Sequence, residues 1–216
     1  WVIPDEYDLK NAWIKTANGK KIVDFKDSNL HVVSYSAPVD ENISFEKLSE
    51  RLFYLPDLPE AIPYRTTYYS KEWGFCVTKS QFEKLSKQTD KLHVFIDSSF
   101  NSNGKMVYGD FVIKGQSDKE ILISTYICHP SMANDNLSGP IMSCMLAKEL
   151  MSLNYLNYSY RFIFVPETIG AIAYCHAYEK IIQEIDIGLI ASTVGGPGQF
   201  EFKESWDSTH RINSII

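Results

Sequence analysis

ILISTYICHPSMANDNLSGP (residues 121–140) is the stretch on which the fold turns. Its first seven residues, Ile121 to Ile127, form an apolar run of strand length. His129 stands at the carboxyl end of that run, a short polar loop carries Asp135, and a helix is expected from about Leu137 to residue 152, with Pro140 tolerated in its first turn. Working outward, a second apolar strand at 160–165 ends in Pro166-Glu167-Thr168-Ile169-Gly170 and leads to a helix over about 168–182. A third strand, 186–193, then enters the sharp turn Gly195-Gly196-Pro197-Gly198. This β-α-β-α-β alternation predicts parallel strands joined by right-handed crossovers, hence an α/β fold. The carboxyl ends of neighbouring strands in such a sheet face one crevice, so His129, Asp135 and Glu167 are expected to converge there.

Upstream of residue 119 the composition changes to tyrosine, phenylalanine, proline and short alternating runs. LHVVSYS (30–36), WGFCVT (73–78), LHVFID (92–97) and KMVYGDFVI (105–113) have the period-2 pattern of strands. The turn Asn101-Ser102-Asn103-Gly104 makes 92–97 and 105–113 a candidate hairpin. Helices are expected over Ser44–Arg51, with Ser44 as N-cap, and over Ser80–Lys87. LPDLPEAIP (55–63) reads as an extended, stiff connection because its prolines restrict both themselves and their predecessors. The expected organisation is 1–27 as the start of the α/β core, 28–118 as a β-rich insert, and 119–216 as the rest of the core. Trp1 at the start and Ile215-Ile216 at the end suggest a piece of a longer protein.

The chain has 216 residues, 44% of them hydrophobic, enough for one sizeable core or two smaller ones. Its net charge of -6 and the absence of a Lys/Arg run argue against nucleic-acid binding. No apolar stretch approaches the roughly 18 residues of a membrane span. Cys76, Cys128, Cys144 and Cys175 lack CxxC spacing and read as reduced, mostly buried thiols of a cytoplasmic protein.

Each chemical residue has an ordinary role to set against a functional one. A lone histidine at a strand end usually caps the strand by hydrogen bonding, but Asp135 six residues after His129 favours a shared divalent cation, typically zinc. Asn134-Asp135-Asn136 also suits helix capping; if Asn136 takes that role, Asp135 is left as a ligand. Glu167 could be a surface carboxylate at a helix N-terminus. Its place directly after an apolar strand, at the sheet edge expected for His129, suits a general base acting on metal-bound water. Cys128 beside His129 is not a nucleophile paired with a base, because adjacent strand residues face opposite sides. Ser138-Gly139 lacks a nucleophile elbow and reads as a helix start. His31 and His93 alternate with apolar residues and read as structural or solvent-facing, and neither His176 nor His210 has a recruiting spacing.

With these residues in view, the chain resembles the zinc-dependent aminopeptidase superfamily with co-catalytic metal sites. It is most similar to a bacterial branch of uncharacterised aminopeptidase-like domain proteins. The matching segments are ISTYICHPSMANDNLSGP (123–140), RFIFVPETIGAIAY (161–174) and TVGGPGQF (193–200), with SNLHVVSYSAPVD (28–40), LPDLPEAIPYRTTYYSKEWGFC (55–76) and YGDFVIKG (108–115) in the earlier region. The resemblance implies a parallel-sheet, phosphorylase/hydrolase-like core carrying a β-rich inserted subdomain. It implies that His129 is a metal-binding histidine, Asp135 the aspartate that bridges metals in dinuclear members, and Glu167 the general base. Thr168 stands where dinuclear members carry a second metal-binding glutamate, and Ile190 to Val194 offers no ligand aspartate. One zinc ion is therefore implied, its third protein ligand a histidine beyond Ile216.

The expected reaction is metal-assisted hydrolysis of an N-terminal peptide or peptide-like amide, with no nucleic-acid or membrane partner. Tyr64, Tyr68, Tyr69 and Trp73 could wall the substrate pocket, although aromatics more often form a subdomain's own core. Two alternatives stand beside it. One is a degenerate, non-catalytic domain that binds a ligand or partner, suggested by Thr168 and the region of Ser192. The other is an amidohydrolase acting on a non-peptide substrate, because fold resemblance does not fix the substrate.

Overall fold

The computed structural model describes residues 2–128 and 132–216. The chain divides into two units, one running to Lys105 and the other from Met106 to Ile216. In chain order the first holds β1 (Glu6–Lys15), β2 (Lys21–Asp24), a 3-10 turn (Asn29–His31), β3 (Val39–Ile43), α1 (Phe45–Ser49), β4 (Leu52–Phe53), β5 (Phe75–Cys76), α2 (Lys79–Ser86) and β6 (Leu92–Asn101). The second holds β7 (Gly109–Ile113), β8 (Glu120–Tyr126), α3 (Asn134–Ser152), β9 (Ser159–Val165), α4 (Ile169–Ala177), α5 (Glu179–Glu184), β10 (Ile185–Ile190) and α6 (Ile212–Ile215).

An antiparallel sheet in the order β2-β1-β6-β3 organises the first unit. Alternation selects its buried face: Leu92, Val94 and Ile96 of β6 join Ala12 and Ile14 of β1, with Leu48 of α1 and Leu85 of α2 closing the core. Both helices start as their side chains dictate. Ser44 accepts from the Lys47 N–H, and Thr78 forms a capping box with Gln81. Buried His31 is structural, its Nδ1 2.8 Å from the Cys76 carbonyl oxygen.

Several local expectations give way here. The hairpin between 92–97 and 105–113 does not form: β6 pairs with β1 and β3, whereas β7 pairs with β9 in the second unit. Residues 1–27 were expected with the α/β core, yet β1 matches β6 through Ala12↔Ile96 and Ile14↔Val94, which puts their apolar faces together in the first unit. Residues 30–36 are a 3-10 turn followed by isolated bridges at Val32 and Ser34, the run broken by Tyr35 at φ 65. The proline segment 55–63 folds into turns, with the Ala61 N–H donating to the Leu58 carbonyl. Of the four cysteines only Cys76 is buried; Cys128 is half-buried and Cys144 and Cys175 are exposed.

The second unit is built on a sheet in the order β10-β8-β9-β7. β8 runs parallel to both β9 and β10, and β7 lies antiparallel at the β9 edge. Successive residues of β8 serve opposite faces: Ile121 and Ile123 pack with Ala147 and Leu150 of α3, whereas Leu122 packs with Tyr174, Tyr178 and Ile182 of α4 and α5. The unit is therefore a mixed α/β layer structure with helices on both faces. Arg161 on β9 ties the strands together, donating to both carboxylate oxygens of Asp110 on β7 and to Glu120 on β8. From β8 the chain crosses to β9 on one side and then returns to β10 on the other. That reversal opens a crevice at the carboxyl ends of β8 and β10, where open α/β sheets take their ligands.

Candidate active site at the carboxyl ends of β8, β9 and β10

Two adjacent residues of β8 hold the crevice together. Buried Thr125 donates to the Ala191 carbonyl after β10 at 2.9 Å and accepts from Asn136 Nδ2 at 3.1 Å. Tyr126 does the same with neighbouring groups: its hydroxyl is 2.5 Å from Asp135 Oδ1 and 3.0 Å from Ser192 Oγ. The strand thus connects the turn into α3 with the segment leaving β10 twice, once through a buried rung and once through an outer one.

Asn136 explains how Asp135 is left outside the helix. Fully buried, its side chain donates to Thr125 Oγ1 and the Tyr126 carbonyl, while its Oδ1 accepts from the Gly139 N–H at 3.3 Å and the Thr193 N–H at 3.0 Å. Asp135 (φ -96, ψ 104) and Asn136 (φ -129, ψ 62) are not helical, so the regular helix starts after them. Asn136 takes the capping role and Asp135 stays exposed at the crevice. Gly139 lets the first turn approach this closely, since a Cβ there would lie 2.5 Å from both the Ala191 carbonyl oxygen and Thr125 Oγ1. Ser138 is engaged with Asn134, its hydroxyl donating to the carbonyl at 2.7 Å, which agrees with a helix-start role.

Glu167 is exposed immediately after β9, next to Thr168 at φ 56. Tyr126 registers both carboxylates. Burial raises its phenol above the ordinary tyrosine range, the hydrogen bond to Asp135 and the negative charges of Asp135 and Glu167 add to the rise, and the Ser192 hydroxyl opposes it. The phenol therefore stays protonated and a donor at neutral pH. Asp135 is hydrogen-bonded to this hydroxyl, whereas Glu167 acts on it through charge alone; His129 lies outside the described residues.

A zinc ion takes nitrogen, sulfur and carboxylate donors, usually three from the protein in a catalytic site. Exposed Asp135 is a donor of that kind, and exposed Glu167 supplies a second carboxylate after β9. Among the described residues no group of three or more His, Cys, Asp or Glu could hold a metal ion. Among the described residues the donors at this crevice are the carboxylates of Asp135 and Glu167, and His129, the expected imidazole ligand, lies outside them. Tyr126, Ser192, Thr125 and Asn136 complete the site's frame, and Tyr126 and Ser192 were not expected from the sequence. Their signal was the pairing of polar residues at two strand ends, Thr125-Tyr126 and Ser192-Thr193.

The aromatic residues expected to wall a pocket lie in the first unit. Tyr68 packs edge-on against Tyr35 and, with exposed Tyr69, lines a groove that also includes Ile3, Asp5 and Phe100. Trp73 packs against the first unit's core, the ordinary role of an aromatic residue. Within the second unit a shallow cavity of about 200 Å³ opens beside Ser192, lined by Thr193, Gln199, Phe200 and Glu201.

Residues 1–216 match a family described as "Domain of unknown function (DUF4910)". A Clostridium acetobutylicum protein, described as a candidate polysaccharide biosynthesis protein with an aminopeptidase-like domain, is 41% identical over 216 residues, which is 100% of this chain and 49% of its own length. A crystal structure of a candidate peptidase from the same species matches with a TM-score of 0.85 and 43% identity, covering 92% of this chain and 46% of that one. BSAP, a zinc aminopeptidase from Bacillus subtilis, matches with a TM-score of 0.59 at 16% identity, over 87% of this chain and 56% of its own, a likeness of fold. The chain spans about half the length of the Clostridium relative and of the Clostridium crystal structure.

Proposed function

Because the chain belongs to the DUF4910 family, with aminopeptidase-like and peptidase relatives, we propose that it is the site-bearing part of a zinc-dependent aminopeptidase-like hydrolase. Its substrate is an N-terminal peptide or peptide-like amide. The second unit serves as the parallel-sheet peptidase-like core and the first as its β-rich companion. The observation that carries this reading is the hydrogen bond by which Tyr126, at the end of β8, holds exposed Asp135 in the crevice, while Glu167 follows the adjacent parallel strand β9.

His129 and Asp135 would hold the zinc ion, which when bound polarises a carbonyl and acidifies water. Glu167 takes the proton of the attacking water and returns it to the departing amine, so that the amide C–N bond breaks as the new C–O bond is completed. Asn136 and Thr125 keep the turn closed around these groups and contribute nothing to the proton transfer.

The test joins elemental analysis of the purified protein with hydrolysis of aminoacyl amides in the presence of zinc, cobalt or manganese. Glu167→Gln is expected to lower turnover by on the order of 100-fold or more while leaving metal content unchanged. A protein that takes up no metal and cleaves none of these amides would count against the reading. Thr168 and the region of Ser192, standing where dinuclear members of the resembling superfamily carry metal ligands, motivate one rival, a domain that binds without turnover. It predicts a metal-free protein whose properties Glu167→Ala leaves untouched.

A further inference from the structure

We propose that Tyr126 is a positioning residue for Asp135, its phenol, braced by Ser192, setting the carboxylate's orientation toward a bound cation. The inference rests on the metal-hydrolase reading for the use made of Asp135, and on geometry for the rest. Three segments meet at one hydroxyl: the end of β8, the turn into α3 and the segment after β10.

Proton bookkeeping gives the contact a direction. An ionised carboxylate only accepts, so at 2.5 Å the single phenolic proton belongs to the bond with Asp135 Oδ1. The Ser192 hydroxyl, 3.0 Å away, must then donate to the phenol oxygen. The result is a one-way chain from Ser192 to Tyr126 to Asp135. The buried rung alongside spans the same two segments in the opposite donor direction, Asn136 donating to Thr125 and Thr125 to the Ala191 carbonyl.

The buried rung fixes the backbone of the turn. The outer rung acts on a side chain that is exposed and would otherwise sample several rotamers. A hydrogen-bonded partner of this kind, behind a metal ligand, typically changes metal affinity by about 10–100-fold when removed. It orients the ligand and biases which carboxylate oxygen is presented.

The test measures zinc affinity of the whole chain by competition with a chromophoric chelator, together with the visible spectrum of the cobalt-loaded protein. Tyr126→Phe removes the hydroxyl and keeps the ring. It is expected to weaken zinc binding by about 10–100-fold and to change the cobalt spectrum, with the metal-free melting temperature little altered. Ser192→Ala is expected to act in the same direction more weakly, and it carries the test if Tyr126→Phe fails to fold. Wild-type zinc affinity and cobalt spectrum in both variants, alongside a clear loss in Asp135→Asn, would overturn the role of Tyr126 and leave the metal reading standing. Unchanged zinc affinity in His129→Ala and Asp135→Asn would overturn the metal reading, and the positioning role with it.

Discussion

Asn136 shows how much one buried amide can organise. Both ends of its side chain are used, and Thr193 and Gly139 each donate a backbone N–H to it. Asn136→Ala leaves those donors without an acceptor in a buried place, so the variant is expected to lose about 2–3 kcal/mol of stability. Urea denaturation of the two proteins measures this, and a loss below about 0.5 kcal/mol would show that other groups or water replace the amide. At this scale the sequence was partly legible. The Asn-Asp-Asn loop signalled a cap beside a ligand, and Asp135 and Glu167 stood out as acids at strand ends. Tyr126 and Ser192 did not, because a hydroxyl at a strand end ordinarily bonds to backbone or water. Only the fold reveals that these two, 66 residues apart, meet.

Among the elements, β7 depends most on charge. It is an edge strand, and Asp110 within it is held by Arg161 of β9, which also grips Glu120 of β8 and is reinforced by the Tyr174 hydroxyl bonded to Asp110 at 2.7 Å. Burial opposes the charge of Arg161, but the hydrogen bond to Glu120 and the charges of Asp110 and Glu120 outweigh it and raise its already high pKa. Arg161→Ala would leave the partly shielded carboxylates of Asp110 and Glu120 without their cation, and a destabilisation of about 1.5–3 kcal/mol is expected by chemical denaturation. Loss of less than about 1 kcal/mol would mean that the carboxylates reach water when the guanidinium goes. Most individual helices and strands were readable from periodicity and caps, with Ser44 the plainest case. Their partners were not. Alternation identifies the face of β6 and β7 but carries no information on which strand lies alongside, and a turn-like Asn-Ser-Asn-Gly between them suggested the wrong pairing.

For the molecule as a whole, alkali should act on both units, since burial raises the phenols of Tyr126 and Tyr174 in the second as it raises groups in the first. Burial raises the Cys76 thiol from 9.0 to about 12 and the Tyr7 phenol from 10.0 to about 12, both in the first unit. Both are protonated in the fold over a range where the unfolded chain has released those protons, so unfolding is favoured as pH rises. Stability is expected to be unaffected by these groups below about pH 9 and to fall between about pH 9 and 12. Urea titrations across that range should show the decline, with a shallower slope in Cys76→Ala; equal slopes in the two proteins would exclude the thiol as a contributor. No helix among the described residues is long and apolar enough to cross a membrane. Composition shifts near residue 119, whereas the chain divides after Lys105, since β7 resembles the first unit in sequence and pairs within the second.

The twin rungs at Thr125 and Tyr126 have a mechanical consequence. Because each spans from the exit of β10 to the entrance of α3, the two ends form a latch with little independent play. Tugging the segment behind β10 drags the acid in front of the helix along with it, so whatever settles against Ser192 and Thr193 is felt at Asp135.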